Sequence, residues 1–332
     1  MGSTTTNDTT AIRGTIYALF SAAAFGLLIP YSKLSLNGLE PLQLAALLVL
    51  GAGIGTACIL AMRTMTGRKA GGASIEREDW PRLAAIVVLN AVAVACLCFG
   101  VSATLAENAS VLMGFEIAAA TVFAWVFLGR HVCYKACAAV GLIVVSTVLL
   151  FWDAFDVVTF VPQSLFIVVA CVLRGFERCI KKTFAEKDPL QIACVRSLGA
   201  GLILGVVAFA ANGMPTAGPA LVGGALLLGF ATFGIGATLH LAAQRDIGPA
   251  RSEGYFAFAP FIGLLISWGY FGFSLEPLFF GALAFMALGV WLAMDDRVFH
   301  EDMLVAADNE RIALYMSEAG AFEFDRLHRP VS

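Results

Sequence analysis

The chain contains one segment twice. EPLQLAALLVLGAGI at 40–54 and DPLQIACVRSLGAGL at 188–202 share eight of fifteen residues, and Asp188 follows Glu40 by 148 positions. The same offset relates Lys33 to Lys181, so the similarity extends into the helix before each motif. The chain is therefore an internal duplication, and its fold must contain two copies of one arrangement of elements.

The composition places both copies in a membrane. Hydrophobic residues make up 59% of the chain and charged residues 14%, and the mean hydropathy is +0.84, whereas water-soluble proteins are about half apolar and about a quarter charged. A bilayer core needs roughly 20 apolar residues per helix, and the periodicity here is helical. Ten such stretches occur, at 14–36, 41–62, 81–105, 107–128, 134–152, 162–184, 189–211, 218–244, 250–272 and 277–294.

We predict an all-α integral membrane protein with ten transmembrane helices, arranged as two inverted five-helix repeats. Five membrane crossings separate equivalent residues of the two copies. Because five is an odd number, the second copy is predicted to have the opposite orientation in the membrane. The predicted parts are a polar leader at 1–11, a first repeat at 12–153, a second repeat at 154–296 and an acidic cytoplasmic tail at 297–332. Inverted repeats are typical of secondary transporters, which bind their substrate between the halves near the bilayer midplane.

The distribution of charge predicts the orientation in the lipid bilayer. Cations flank the even-numbered connections, at Arg63, Arg68, Lys69, Arg77, Arg82, Arg130, Lys135, Lys181, Lys182, Lys187, Arg245 and Arg251. The odd-numbered connections instead carry the acids Glu40, Asp153, Asp156 and Glu276. By the positive-inside rule, the even-numbered connections and both termini are cytoplasmic, which predicts a multi-pass protein of the cytoplasmic membrane. No basic patch remains for nucleic acid.

Cysteine and glycine are predicted to be small packing residues. The eight cysteines form no CxxC pair and lack histidines at metal spacing, so we expect neither a disulfide framework nor a metal site. Glycines in the two motif copies should let helices approach closely, at Gly51, Gly53, Gly55, Gly199 and Gly201. No helix pairs a nucleophile with a base and no nucleotide-binding loop is present, so we predict no enzymatic activity and no cofactor.

Glu116 is the deepest carboxylate in the predicted helices. It lies about nine residues from either end of the fourth helix, and an ionisable group at that depth costs roughly 2.5 to 3.5 kcal/mol on insertion scales. Two interpretations follow. Glu116 either exchanges a proton or holds a cationic part of a substrate, or it is the permanent partner of a buried arginine.

The sixth helix carries four ionisable residues on one face, Arg174, Glu177, Arg178 and Lys181. We expect Arg178 and Lys181 to reach the interface through their long stems. Arg174 is too deep to do so, and Arg196 in the seventh helix is also inside the membrane. The two arginines indicate either a substrate with a carboxylate, phosphate or sulfate, or an ion-pair network with Glu116 and Glu177.

Prolines in two helices mark further candidate residues. Pro30 frees a backbone carbonyl one turn earlier, and such broken helices line cavities in transporters. Lys33 lies just after it and is a candidate site residue, the alternative being an interfacial lysine. Pro260 lies near Tyr255 and Phe256, which either stack on an organic substrate or belong to helix packing.

The chain resembles the drug/metabolite transporter superfamily, in particular ten-helix proteins built from two EamA domains. The resemblance covers about 12–294 and rests on the PLQLA and PLQIA segments with their GAG tails, on ENASVLMGFEIAAATVFAWVFLG at 107–129, and on GPARSEGYFAFAPFIGLLIS at 248–267. It implies transport of a small metabolite, and the superfamily handles amino acids, drugs and nucleotide sugars. Glu116 matches the family's acidic position in the fourth helix.

Several positions depart from the family pattern. Gly129-Arg130 and Gly272-Phe273 stand where the family often has a Gly-Glu pair. Leu48 replaces an arginine common in the second helix, although the equivalent Arg196 is present. Arg174 occupies a position where similar sequences tend to carry an aromatic residue.

The leading hypothesis is a secondary transporter that exports a small organic metabolite by alternating access. In it Glu116 is the protonatable or cation-pairing group, Arg174 and Arg196 pair with anions, and Glu177 orients Arg174. The alternative is a membrane sensor or scaffold that keeps the fold but does not transport. The sequence does not determine the oligomeric state, and a homo-oligomer is one alternative.

Overall fold

The computed structural model describes residues 3–67, 72–128, 134–153, 165–181, 184, 187–272 and 277–293, and within them the fold is helical except for turns and an isolated bridge between Ala73 and Lys187. We number the helices of the ten predicted spans in order. They are α1 (Ser3–Gly26 and Leu28–Ser35), α2 (Pro41–Met65), α3 (Trp80–Ala103), α4 (Ala106–Leu112 and Phe115–Leu128), α5 (Tyr134–Asp153), α6 (Leu165–Lys181), α7 (Pro189–Asn212), α8 (Pro219–Gly229, Phe230–Gly236 and Ala237–Ile247), α9 (Pro249–Phe256 and Ala259–Phe271) and α10 (Pro277–Ala293).

The helices make the chain a multi-pass membrane protein. Seven are long and apolar enough to cross a bilayer, namely Thr10–Ser35, Pro41–Met65, Arg77–Ala103, Ala106–Phe127, Pro189–Asn212, Pro219–Ile247 and Gly254–Phe271. Two more apolar helices are shorter, Cys137–Leu149 and Pro277–Leu292, and α6 has 17 residues. The all-α membrane fold is thus confirmed, while the count of ten crossings stays a prediction.

The predicted leader and tail have different outcomes. α1 begins at Ser3, so most of the predicted leader forms its first turns; no proline or glycine separates Ser3 from Arg13 to stop a helix there. The tail at 297–332 lies outside the described residues. So do Arg68, Lys69, Arg130, His131, Lys182, Asp156, Phe273 and Glu276.

Both copies of the repeated motif begin a helix in the same way. Pro41 and Pro189 occupy the first turn of α2 and α7, where the missing N–H leaves no bond unmade. The Asp188 carboxylate accepts a hydrogen bond from the backbone N–H of Leu190 at 3.1 Å. The Gln43 side chain accepts one from the backbone N–H of Glu40 at 3.3 Å.

The equivalent helices α2 and α7 pack against each other in opposite directions. Where α2 ends and α7 begins, Arg63 pairs with Asp188. At the opposite ends of the same two helices, Gln43 Nε2 donates to the Gly213 carbonyl at 3.3 Å. The other contacts are also equivalent in the two repeats. α3 packs on α6, and their counterparts α8 and α1 pack on each other. α4 packs on α6, and their counterparts α9 and α1 pack on each other.

Glycine sets the closest approaches between the repeats. A Cβ at Gly51 would overlap the Leu226 backbone, and one at Gly229 would overlap the Leu48 backbone. A Cβ at Gly53 would lie 2.7 Å from the backbone nitrogen of Leu198. These glycines therefore bring α2 against α7 and α8, as predicted for a small-residue packing face.

Four helices are interrupted at related depths. α1 breaks after Gly26, four residues before Pro30, and α9 breaks after Phe256, four residues before Pro260. In both cases proline cannot donate to the carbonyl four residues earlier. α4 breaks around Met113 and Gly114, and α8 contains a π-helical segment at Phe230–Gly236. Irregular backbone at membrane depth is found where it lines a cavity.

Candidate functional site

Six ionisable side chains form one cluster where α4, α6 and α7 meet. We call it the core cluster, and its members are Glu116, Arg174, Glu177, Arg178, Lys181 and Arg196. Glu116 belongs to the first repeat and the other five to the second. The cluster therefore joins the two repeats through charge.

Glu116 holds two guanidinium groups from α6. Its Oε2 lies 2.9 Å from Nε of Arg174, and its Oε1 lies 2.8 Å from an Nη atom of Arg178. The Glu116 side chain is 6% exposed, so the carboxylate is removed from solvent. Sequence reasoning expected Arg178 to reach the interface. The structure corrects this, because Glu116 on α4 lies within reach of its guanidinium.

Glu177 pairs with two other cations. Its Oε1 lies 2.9 Å from an Nη atom of Arg196 and 2.6 Å from Nζ of Lys181. Glu177 is predicted to orient Arg174; in the structure Arg174 pairs with Glu116, and Glu177 pairs with Arg196 and Lys181. Arg174 and Glu177 share one helix, but one turns to α4 and the other to α7.

Aromatic rings cover the arginines of the core cluster. The guanidinium carbon of Arg174 lies 5.6 Å from the ring centre of Phe25 and 5.3 Å from that of Phe233. Arg178 lies 5.2 Å from the ring centre of Phe256. These distances suit cation–π attraction. Phe256 was a predicted site residue, whereas Phe25 and Phe233 carried no signal that separated them from other core aromatics.

Lys33 lies apart from this cluster. Tyr255 is half-buried and directly precedes Phe256, whose ring lies over Arg178. Lys33 Nζ donates to the backbone carbonyls of Val101 at 2.9 Å, Ser102 at 2.9 Å and Thr104 at 2.8 Å. Carbonyls at a helix C-terminus lack intrahelical donors, so Lys33 caps α3, in contrast to its predicted place at the substrate site.

A small cavity adjoins Glu116. Its volume is about 40 Å³, and its lining includes Phe25, Ile29, Met113, Glu116, Phe256 and Pro260. Three of the four interrupted helices contribute to this lining. The space suffices for one or a few water molecules only, so the described conformation is nearly closed around the carboxylate.

A second group of charges joins the repeats at one end of the helices. We call it the end cluster; its pairs are Arg13 with Asp246, Arg63 with Asp188, and Lys187 with Glu76 and Asp79. Each pair links one residue of the first repeat to one of the second. All lie at the end predicted to be cytoplasmic. Sequence reasoning identified the cations as topology signals only and missed that acids of the other repeat bind them.

The end cluster surrounds a larger space than the core cluster does. A cavity of about 230 Å³ is lined by both members of the Arg13 and Arg63 pairs and by Arg245. Arg13 binds Asp246 through two hydrogen bonds of 2.9 Å. Lys187 donates hydrogen bonds to the Glu76 and Asp79 carboxylates, and these bonds raise the pKa of its ammonium above the usual value.

Across the described ranges, no three His, Cys, Asp or Glu residues come together in a group that could hold a metal ion. The buried Cys98 and Cys171 lie in packed helix interiors.

Comparison with known proteins gives a family and a fold. A solved crystal structure whose description names no particular protein is similar to this chain, with a TM-score of 0.60 and 16% sequence identity. The match covers 84% of this chain and 98% of the chain in that structure. No curated protein matches the chain. The EamA-like transporter family matches twice, at residues 12–152 and 163–294. The chain therefore belongs to the EamA-like transporter family, a family of transporters rather than enzymes, within the drug/metabolite transporter superfamily.

Proposed function

We propose that this protein is a secondary transporter that moves a small organic metabolite by alternating access. Its ten helices cross the cytoplasmic membrane as two inverted repeats, at 12–153 and 154–296, with the leader, the tail and both termini in the cytoplasm. The membrane fold and the family support transport.

The observation that carries the proposal is the core cluster beside the interrupted helices. Buried ionisable groups at membrane depth are costly and usually line a pathway or pair with one another. Here Glu116 of one repeat holds Arg174 and Arg178 of the other. In transporters with inverted repeats the substrate site lies at this repeat interface.

The end cluster supports alternating access. Its three inter-repeat links must separate before the two repeats can part at that end of the molecule. Lys187 and Asp188 directly precede Pro189, the first residue of α7. Their pairs with Glu76, Asp79 and Arg63 therefore hold the start of that helix against the first repeat. We propose that these links close the cytoplasmic side. Export as the direction rests on the family resemblance.

Counterflow into reconstituted vesicles tests the proposal. Vesicles containing the purified protein are loaded with a metabolite panel, and uptake of the same labelled compounds is measured against protein-free vesicles. Accumulation that disappears in Arg174→Ala and is altered in Glu116→Gln supports both the function and the site. Uptake that is indifferent to both substitutions removes the site, and binding without counterflow favours the sensor or scaffold alternative.

A further inference from the structure

We propose that the core cluster selects an organic anion with an apolar body, and that Glu116 is displaced from its arginines when the anion binds. This inference rests on the proposed transport function and names its substrate class. The anionic group would be a carboxylate, phosphate or sulfonate, since all three offer oxygens that a guanidinium binds in forked geometry.

The charge balance of the core cluster favours an anion. Four cations, from three arginines and Lys181, face two carboxylates in the pairs described above. A bound anion reduces this excess, whereas a bound cation increases it in a region where water cannot screen it.

The contacts of Glu116 point the same way. A cationic substrate would have to replace Arg174 and Arg178, which lie 2.9 and 2.8 Å from the two carboxylate oxygens. That exchange would leave two guanidiniums without their buried partner, which is costly. An anionic substrate keeps both guanidiniums paired and strands one carboxylate, Glu116, which loses its charge by taking up a proton from water. A stranded guanidinium has no such outlet, because arginine stays protonated. The cluster can therefore exchange anions with less loss than cations.

Arg196 offers an additional donor to such a ligand. One of its Nη atoms binds Glu177, and a second lies 3.5 Å from the Phe233 carbonyl. Its Nε is buried and has no hydrogen-bond partner within the described residues. The Phe233 ring also covers Arg174, so Arg196 and Arg174 both contact Phe233, one at its backbone carbonyl and the other at its ring. A buried N–H without an acceptor is an unfilled position that an anionic oxygen would satisfy.

The apolar body of the substrate follows from the lining beside Glu116. Apart from Ser110 and the carboxylate, the side chains of the 40 Å³ cavity are hydrocarbon, thioether or aromatic, including Phe25, Met113 and Phe256. A small inorganic anion would leave these surfaces without a ligand. A rod-shaped or planar organic acid would place its charge at the arginines and its body among the rings, once the nearly closed cavity widens.

Matched probes test the charge preference directly. We would measure binding of 3-phenylpropionate, its amide and 3-phenylpropylamine to the purified full-length protein by intrinsic tryptophan fluorescence. These compounds share one apolar body and differ in charge. We expect the acid to bind at least about tenfold more tightly than the amide or the amine. Tighter binding of the amine, or equal binding of the three, would overturn the inference.

Two substitutions give opposite signs for an anion site and a cation site. Arg178→Gln removes one guanidinium from Glu116, so an anion site should lose about tenfold in affinity for the acid, whereas a cation site should bind the amine more tightly. Glu116→Gln removes the competing carboxylate and should strengthen binding of the acid. Arg178 is 21% exposed, so the first variant remains usable if the second fails to fold.

A matched control and a flux measurement complete the test. Arg82→Gln changes an exposed arginine outside the core cluster and should leave all three affinities unchanged. Uptake of the same probes into vesicles separates this inference from the proposed function. Amine uptake without acid uptake would support transport and refute the anion site. Acid binding without acid uptake would keep the anion site and refute transport.

Discussion

The core cluster and the end cluster join the same two repeats with the same chemistry but in different surroundings. In the core cluster, the Glu116 and Arg174 side chains are 6% and 10% exposed. In the end cluster, Arg13 is 56% exposed and Glu76 is 69% exposed. The Arg63–Asp188 pair of the end cluster is more buried, at 17% and 1% exposed. Water can therefore replace a lost partner at Arg13 and Glu76, but not at the Arg63–Asp188 pair or in the core cluster.

This difference assigns different tasks to the two clusters. Exposed ion pairs contribute little to stability, because water and salt screen them. They can open and close at small cost, which suits contacts that must separate during transport. Removing one member of a buried pair strands a charge in a region of low polarity. The core cluster can therefore rearrange only when another charged group takes the place of the lost one.

The largest expected effect comes from Glu177→Gln. This substitution removes the carboxylate shared by Arg196 and Lys181 while keeping the side-chain shape. We expect a loss of about 3 to 5 kcal/mol in the free energy of unfolding, since the Arg196 guanidinium stays buried without its partner. Thermal or denaturant unfolding in detergent would measure it.

The control for that variant lies in the end cluster. Asp246→Asn likewise removes a carboxylate that binds an arginine of another helix, but its partner Arg13 is exposed. Its loss of stability should be a small fraction of that for Glu177→Gln. Equal losses in the two variants would contradict the contrast in burial.

The second-largest effect is expected at the glycine contact between α8 and α2, which lies outside both charge clusters. Gly229→Ala forces α8 away from the Leu48 carbonyl, and overpacking of this kind costs about 1 to 3 kcal/mol. Gly224→Ala on the same helix meets nothing within 4 Å, so it should be neutral or slightly stabilising. Unfolding of both variants would be compared. Equal stability would show that α2 and α8 can shift apart, which would remove the rigid contact between the repeats.

The third effect tests the reassignment of Lys33. Lys33→Met keeps the apolar stem but leaves three carbonyls at the end of α3 without their donor. We expect a loss of about 1 to 2 kcal/mol in stability and no change in the ranking of transported substrates. A changed ranking with unchanged stability would return Lys33 to the substrate site.

The sequence predicts the helices and the deep charges because both follow from composition along the chain. Apolar length identifies membrane helices, and distance from the helix ends shows that Glu116 and Arg174 cannot reach water. The inverted repeat predicts that equivalent helices run in opposite directions. The antiparallel contact of α2 with α7 agrees with this.

Partner choice could not be read from the sequence. Arg174 lies one helical turn from Glu177, so a local pair was the natural expectation, but Glu116, 58 positions earlier, holds it instead. The acceptors of Lys33 are likewise about 70 positions away in sequence. Which face of a helix meets which neighbour depends on tertiary packing, and periodicity in one helix carries no such information.

The smallest effect on stability is expected in the end cluster, where it should appear in conformation instead. Arg13→Gln removes two hydrogen bonds to Asp246, and we expect almost no change in unfolding. If these pairs close one end of the pathway, a cysteine at Ala242, which lines the adjoining 230 Å³ cavity, should react with a polar maleimide about two to five times faster in this variant. High salt should raise the rate in the parent protein and add little in Arg13→Gln, because both act on the same pair. If the maleimide reaction rate depends on salt equally in both proteins, Arg13 and Asp246 do not restrain the opening of the pathway at this end. The proposed role of the end cluster in closing the pathway would then be wrong.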